Sequence, residues 1–345
     1  MTLPAPAQQQ AQARPVPGVI DTLSAGYQAV NRRPGLIAIP LLLDLFLWLG
    51  LRLSIAPLIR HALTLYDLLM QQALAGATIS PEQVSQLQAA SAQVRQMAEQ
   101  SATGFNLFSL LASGRLGVPS LLASVSPKAG FWSPPVATID NGLVFLGLAL
   151  VLLLVGLLVG TLYLGAIAQG VRDDRFAPAL LLRQVGRCWV RVVAYLALIV
   201  GLIFLLGAPF AFVLGLATLF SPLLGSFLLG LAWVIGIWAA IYLFFALAAI
   251  FVSEVGPLPA IWHSFNIVRF NLWSTLGLII VISVIGLGMP LLWEMFVGNP
   301  WGVLAGIAGN AYIGTGLAAA SLIFYRDRYA YWQAQLAGVR EEMAR

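Results

Sequence analysis

Six apolar runs, each longer than about 20 residues, dominate this 345-residue chain: about 36–57, 141–168, 189–216, 223–251, 273–297 and 302–325. A helix rises about 1.5 Å per residue, so about 20 residues cross the roughly 30 Å hydrocarbon layer of a bilayer. All six are long enough to span, and the longer ones must tilt, kink or extend beyond that layer. A soluble alternative fails on composition. The chain is 60% hydrophobic and 9% charged, whereas soluble domains carry about 45–50% apolar and about 25% charged residues. The predicted class is an all-α, polytopic membrane protein with six transmembrane helices.

Six is an even number, so both termini fall on one side. Arg32 and Arg33 precede the first run, and Arg172, Arg175, Arg183 and Arg187 lie between the second and third. Arg269 precedes the fifth, and Arg326 and Arg328 follow the sixth, while the turns near 217–222 and 298–301 hold no Lys or Arg. The positive-inside rule then predicts cytoplasmic termini in a multi-pass protein of the cell (inner or plasma) membrane. Segment 58–140 carries Arg60, Arg95, Arg115 and Lys128, but long loops are translocated largely regardless of charge, so it is expected outside. The predicted organisation is a flexible cytoplasmic tail over 1–18, an interfacial helix with the first span over 19–57, an extracytoplasmic helical segment over 58–140, a five-span bundle over 141–325 and a cytoplasmic tail over 326–345.

Within 58–140, Ser80-Pro81-Glu82-Gln83 reads as a helix start, with Ser as cap and Pro at the first helical position. Val84, Leu87, Val94 and Met97 then recur on one face. Leu58 to Leu74 continues the first run without a strong breaker, so an antiparallel helical hairpin closed by Ala75–Thr78 is predicted. The stretches 105–111 and 118–122 are too short to span and are expected along the outer interface or shallowly re-entrant.

Asp173, Pro178, Ala179, Gly207 and Pro209 match Glu254, Pro259, Ala260, Gly288 and Pro290 at a single offset of 81 residues. A weaker third copy starts at Ile20, with Leu23, Tyr27 and Val30 forming an apolar stripe. The pattern predicts three hairpins, each entered through a cytoplasmic interfacial helix. The stretch from Glu254 to Trp273, with acidic, Gly, Ala, Ser-aromatic, Arg-x-Asn and Trp positions, resembles the membrane domain of glycerophosphodiester phosphodiesterase-like proteins and related six-helix membrane proteins of unknown function. The ending Phe324-Tyr325-Arg326-Asp327-Arg328 is similar to the motif that closes those domains. The likeness covers about 140–330, Phe270 stands where Gly is usual, and the soluble phosphodiesterase domain has no counterpart. The resemblance implies a fold and a link to lipids, not hydrolysis.

Several chemistries are excluded. The net charge of +5 lies in the segments between apolar runs rather than in a basic soluble patch, so no nucleic-acid partner is expected. Cys188 is the only cysteine, and His61 and His263 lie about 200 residues apart, which excludes a disulfide framework and a Cys- or His-rich metal site. No metal or cofactor is expected.

Two polar features stand out. Asp44 lies near the middle of the first run, where a carboxylate costs about 2.5–3.5 kcal/mol on insertion scales. Arg52 is too far along the helix to pair with it, so Asp44 is expected to meet a group on another span, such as Asn310, Thr315 or Tyr163. It reads either as a packing carboxyl or as a proton or cation site. Glu254, His263, Asn266, Arg269 and Asn271 gather before the fifth run and read as a phospholipid headgroup site or as an inter-repeat contact in which Arg269 pairs with Glu254 or Asp173. His263 and Glu254 lack an accompanying nucleophile or metal, so catalysis is not expected.

Arg172-Asp173-Asp174-Arg175 and Arg326-Asp327-Arg328 read as salt-bridged inner loops. Gly156-x3-Gly160 and Gly302-x3-Gly306 permit close helix approach within the bundle or between copies in a homo-oligomer. Trp132, Trp262, Trp273, Trp301, Tyr325 and Trp332 read as interface anchors. The expected function is non-enzymatic binding or organisation of lipids or membrane-protein partners. The alternative is a small secondary transporter or channel that uses Asp44.

Overall fold

An apolar run in a bilayer satisfies its own backbone only as a helix or within a closed barrel. The computed structural model describes residues 17–76, 81–112, 117–123, 125, 134–173, 178–296 and 298–343, and it adopts the helical solution. Eleven α-helices are described: α1 (Val19–Arg32), α2 (Ala38–Leu49), α3 (Ala56–Gly76), α4 (Pro81–Gly104), α5 (Gly142–Asp173), α6 (Pro178–Phe220), α7 (Pro222–Tyr242), α8 (Ala246–Val252), α9 (Pro257–Phe270), α10 (Leu272–Glu294) and α11 (Pro300–Met343). Several expectations fall outside the described residues: the tail over 1–16, the turn and cap over 77–80, Arg115, Lys128, Trp132, Asp174 and Arg175. The side chains of Pro81, Glu82, Gln83 and Asp173 do so as well.

Five helical segments are long and apolar enough to cross a membrane: Gly142–Arg172, Pro178–Phe220, Pro222–Val252, Leu272–Glu294 and Pro300–Ala337. The first run differs from expectation. Its apolar helix covers only Pro34–Leu49, with a 3-10 turn at Pro34–Ile37 leading into α2. By helical rise this is about 26 Å, short of the roughly 30 Å core. Gly50 ends α2 in extended backbone, at φ −79° and ψ 179°. The strand β1 (Arg52–Ser54) then pairs in parallel with β2 (Val136–Thr138), Leu53 opposite Ala137. Pro57, fit for a first helical turn, lies at the start of α3. The predicted uninterrupted passage from the first run into Leu58–Leu74 is therefore broken by a Gly stop, a strand and a Pro start.

Beyond the strand pair, α3 and α4 fold back on one another and are tied by Arg95 Nη1 to Asp67 Oδ2 at 3.0 Å. A 3-10 helix at Leu107–Ala112 packs against α5 and β1, with Leu107 buried beside Leu53, Ile139 and Leu152. The Asn106 side chain fixes this layer by accepting from Leu53 N at 3.0 Å and Phe108 N at 3.2 Å.

The core lies where α1, α5, α8, α9, α10 and α11 meet, around Tyr163, Phe245, Ile267, Leu278, Phe324 and Tyr325. Helix α1 buries Thr22, Gly26 and Val30, positions four apart on one face, against α11. Gly26 brings the two backbones together, since a Cβ there would stand within 2.8 Å of Ala320. Between α7 and α8 the chain kinks at Leu243–Phe245, which frees backbone groups inside the protein. Ser264 of α9, fully buried, repairs the kink by donating to Tyr242 O at 2.6 Å and accepting from Phe245 N at 3.1 Å.

The two stretches related by the 81-residue offset end differently. Pro178 to Phe220 is one continuous helix containing Pro209, whereas α9 and α10 are separated at Asn271, at φ −130° and ψ 36°. The start of the chain follows the second form. Both α1 and α9 have 14 residues, both begin after an extended glycine, Gly18 and Gly256, and both stop at a non-helical residue before an apolar helix.

Candidate functional site

The carboxyl of Asp44 sits on the buried face of α2 with Leu43 and Leu47 and has no surface exposure. Its partners are not the side chains of other spans. Oδ2 accepts from Leu121 N at 2.9 Å, and Oδ1 accepts from Leu122 N at 3.2 Å and from the Ser120 hydroxyl. Ser120 Oγ in turn accepts from Ala123 N at 3.1 Å, which leaves its own proton for Asp44. Three donors from one short loop close around one carboxyl group.

That loop reaches deep into the protein. Val118 and Leu121 are buried. A Cβ on Gly314 would collide with Pro119, and one on Gly306 would meet Leu121 at 3.0 Å. Gly314 lies at the centre of the 302–325 run, so the 117–123 segment inserts to about half the length of that span instead of resting at its end. Gly306 is closed by Leu121 and Trp293, so this part of the Gly302-x3-Gly306 face is occupied within the protomer. Gly156 and Gly160 are also buried. The expected partners of Asp44 bond elsewhere: Tyr163 OH donates to Thr315 Oγ1 at 3.0 Å, and Thr315 donates to Ala311 O at 2.6 Å. Asn310 is buried on α11 and is not a donor to Asp44.

The five residues gathered before the fifth run divide into separate environments. Glu254 turns towards α5 and α6. Its carboxylate pairs with Arg172, and its backbone carbonyl accepts from Arg191 Nη1 at 2.6 Å. Arg172 thus takes the place expected for Arg269, whose guanidinium lies 5.9 Å from the Phe270 ring on an exposed edge. Asn266 and Asn271 return their amides to their own helix, to Trp262 O at 2.8 Å and Ile267 O at 3.1 Å.

His263 faces α11, with its ring 5.0 Å from Tyr329 and 5.8 Å from Trp332 and its Nδ1 3.4 Å from Tyr325 OH. Burial among these rings lowers its pKa below the ordinary histidine value, which keeps it neutral near pH 7. Arg326 is held by Asp327 at 2.7 Å and by Val171 O at 2.6 Å. Arg328 is buried with its guanidinium carbon 3.3 Å above the Phe324 ring.

Sequence reasoning missed the Asp44 donors because two of the three are backbone amides, which no side-chain pattern advertises. It also missed Ser264 as the stitch of the α7–α8 kink. The signal there was weak, a small hydroxyl residue on the buried face of α9 at a spacing that meets a Phe-rich stretch. Among the described residues, no group of three or more His, Cys, Asp or Glu is arranged to hold a metal ion. No family model, curated protein or solved structure matches this chain.

Proposed function

We propose that this chain is a non-enzymatic, multi-pass protein of the cell membrane that binds lipids or other membrane proteins, with the α6–α7 arm as its recognition surface. The observation that carries this reading is the isolation of the arm. Of residues 201–240, only Ala217 and Gly225 are buried. Gly225 lies against Thr218 on the seam between the two helices. Phe204, Leu206, Phe212, Phe227, Trp233 and Ile235 point away from the seam and are exposed. An arm of about 20 residues per helix that touches little but itself leaves its apolar faces to be covered by acyl chains or by helices of another protein.

In this reading the short Pro34–Leu49 helix still crosses, in locally thinned bilayer, and completes six passages; both termini and the basic helix ends then lie in the cytoplasm, the arm tip near Ser221 points outward, and α3 and α4 stand outside. The hairpin units and the likeness of Glu254–Trp273 to the membrane domain of glycerophosphodiester phosphodiesterase-like proteins fit the same lipid-linked role. Asp44 then anchors the inserted loop. A transport carboxylate needs access to water, and Asp44 has none in this conformation.

The test is mass spectrometry of the protein crosslinked in its own membranes, with bound lipids and proteins both identified. A lipid enriched over the bulk membrane, or a reproducible protein partner, supports the reading. Proton-coupled solute flux that is lost in Asp44→Asn with folding intact would overturn it in favour of transport.

A further inference from the structure

We infer that the start of α1 and the buried Arg328 of α11 together bind a phosphate group at the cytoplasmic end of the bundle. This rests on the lipid-binding reading and adds a headgroup contact to it. Arg328 is 3% exposed, and a guanidinium stays protonated wherever it is placed. Such a charge is tolerated away from water when it is paired and its N–H groups are bonded. Here Nη2 donates to Pro17 O at 3.2 Å and the Phe324 ring lies 3.3 Å from the guanidinium carbon. Among the described residues, Nε and Nη1 are buried and meet no acceptor. The carboxylates of the two elements are engaged elsewhere. Asp327 accepts from Arg326 Nε at 2.8 Å and Nη2 at 2.7 Å, and Asp21 accepts from Gly18 N at 3.3 Å. Arg326 Nη1 in turn donates to Val171 O, so the end of α5 stands two positions and about 200° round α11 from Arg328. Residues 1–16, which precede Pro17, contain no Asp or Glu.

The second half of the site is the N-terminus of α1. The Pro17 carbonyl that Arg328 touches belongs to the residue just before the Gly18 cap, so the guanidinium stands beside the positive end of a 14-residue helix. Gly18 brings no capping side chain, and Asp21 takes the Gly18 amide. The amides of Val19, Ile20 and Asp21 have no acceptor within the helix. Two positive groups held side by side repel one another, and an anion placed between them removes that repulsion. Helix N-terminal amides and a two-nitrogen edge of a guanidinium are both donors suited to phosphate oxygens. Pro17, Gly18 and Ile20 are exposed, so the anion enters from the α1 side and replaces the Pro17 carbonyl as acceptor. Arg328 directly follows the 302–325 run, which sets it at the headgroup level of the inner leaflet. An anionic lipid and free phosphate present the same oxygens there, so the chemistry they share is what the site recognises.

Ile20 is 81% exposed in the first turn of α1, and its side chain leans towards the helix start, so this position reports occupancy. The full chain carrying Ile20→Cys and Cys188→Ser is held in dodecyl maltoside, which has no phosphate, and its alkylation by a small neutral maleimide is followed. Phosphatidylglycerol, diacylglycerol of the same chains, or inorganic phosphate is then added. Phosphatidylglycerol is expected to slow alkylation several-fold and diacylglycerol to leave it unchanged. Protection by inorganic phosphate as well assigns the site to the free anion, whereas protection by the lipid alone assigns it to a headgroup.

Arg328→Gln, added to that chain, is expected to weaken the apparent affinity about tenfold or more, the loss of hydrogen bonds from a charged donor. Asp21→Asn still accepts from the Gly18 amide but removes a negative charge beside the anion, so it should tighten binding about two- to fivefold. The inference is overturned if neither phosphate-bearing probe slows alkylation, if diacylglycerol protects equally, or if Arg328→Gln binds as tightly as its parent. Should Arg328→Gln not fold, the exposed Asp21→Asn variant decides alone: tighter binding supports the site, and equal or weaker binding overturns it. Enriched lipids that still crosslink in native membranes while the Ile20 position stays unprotected would sink this site and leave the broader lipid-binding reading standing. Failure of both experiments sinks both.

Discussion

Removing the Asp44 carboxyl tests whether one side chain holds the inserted 117–123 loop. Asp44→Ala deletes the acceptor for Leu121 N, Leu122 N and the Ser120 hydroxyl. Side-chain hydrogen bonds between membrane helices average about 0.6 kcal/mol and reach about 1.7. The loop is a harsher case, because the buried Leu121 N–H loses its partner at about 1–3 kcal/mol and the half-buried Leu122 N–H at about 1–2 kcal/mol. The expected loss is therefore about 2–5 kcal/mol. Asp44→Asn keeps one oxygen for Ser120 and Leu122 but sets an NH₂ group against the Leu121 N–H, for a loss of about 1–3 kcal/mol. Unfolding followed by tryptophan fluorescence in mixed micelles measures both losses. Labelling of Leu122→Cys, placed in a Cys188→Ser background, reports the loop itself and should accelerate in either Asp44 variant. Stability within about 0.5 kcal/mol of the parent, together with an unchanged labelling rate, would refute the tether.

Four further outcomes follow from the packing. Ser264→Ala strips the partner from Tyr242 O and Phe245 N at the α7–α8 kink and should cost about 1–3 kcal/mol in the same unfolding assay. Gly26→Val forces side-chain atoms into the Gly316–Ala320 backbone, so α1 should lift from α11, with a loss of about 1–3 kcal/mol and faster proteolysis near Arg32 and Arg33. At Glu254, Gly suits the left-handed backbone and Ala does not, so Glu254→Gly should be more stable than Glu254→Ala by about 1 kcal/mol, although both lose the Arg172 pair. His263 stays neutral in the folded protein while an unfolded histidine takes up a proton below about pH 6.5. Its contribution is then complete above that pH and shrinks as pH falls towards the lower folded value. His263→Phe should remove this part of the slope in a pH series of unfolding midpoints.

The long helices were legible because nothing competes with hydrophobicity over 20 residues. Five of the six apolar runs contribute to helical segments long enough to cross a bilayer. The first failed as a continuous span for a local reason. Gly50 and Pro57 are ordinary stop and start residues, but apolar sequence on both sides hid them, and the strand that fills the interval depends on Val136–Thr138, more than 80 residues away. The same range limit applies to the polar contacts. Asp44 was conspicuous as a buried charge, yet its donors lie 76 to 78 residues on and are mostly backbone. Glu254 was conspicuous too, but its partners lie 82 and 63 residues upstream, on helices whose facing the local pattern does not set. Asn271, by contrast, breaks its helix where the related position in α6 runs through, a difference between an amide that bonds its own backbone and an apolar residue that does not.

The recognition role of the α6–α7 arm is tested most directly by photo-crosslinking in native membranes from Phe212 on α6 and Trp233 on α7, with Leu278 in the core as the internal reference. Phe212 and Trp233 are 70% and 68% exposed, whereas Leu278 is 0% exposed. The account predicts that the two arm positions capture a particular lipid above its share of the membrane, or one recurring protein, and that Leu278 crosslinks only within the chain. Adducts at the arm that merely mirror bulk lipid composition, with no protein recovered, would contradict it.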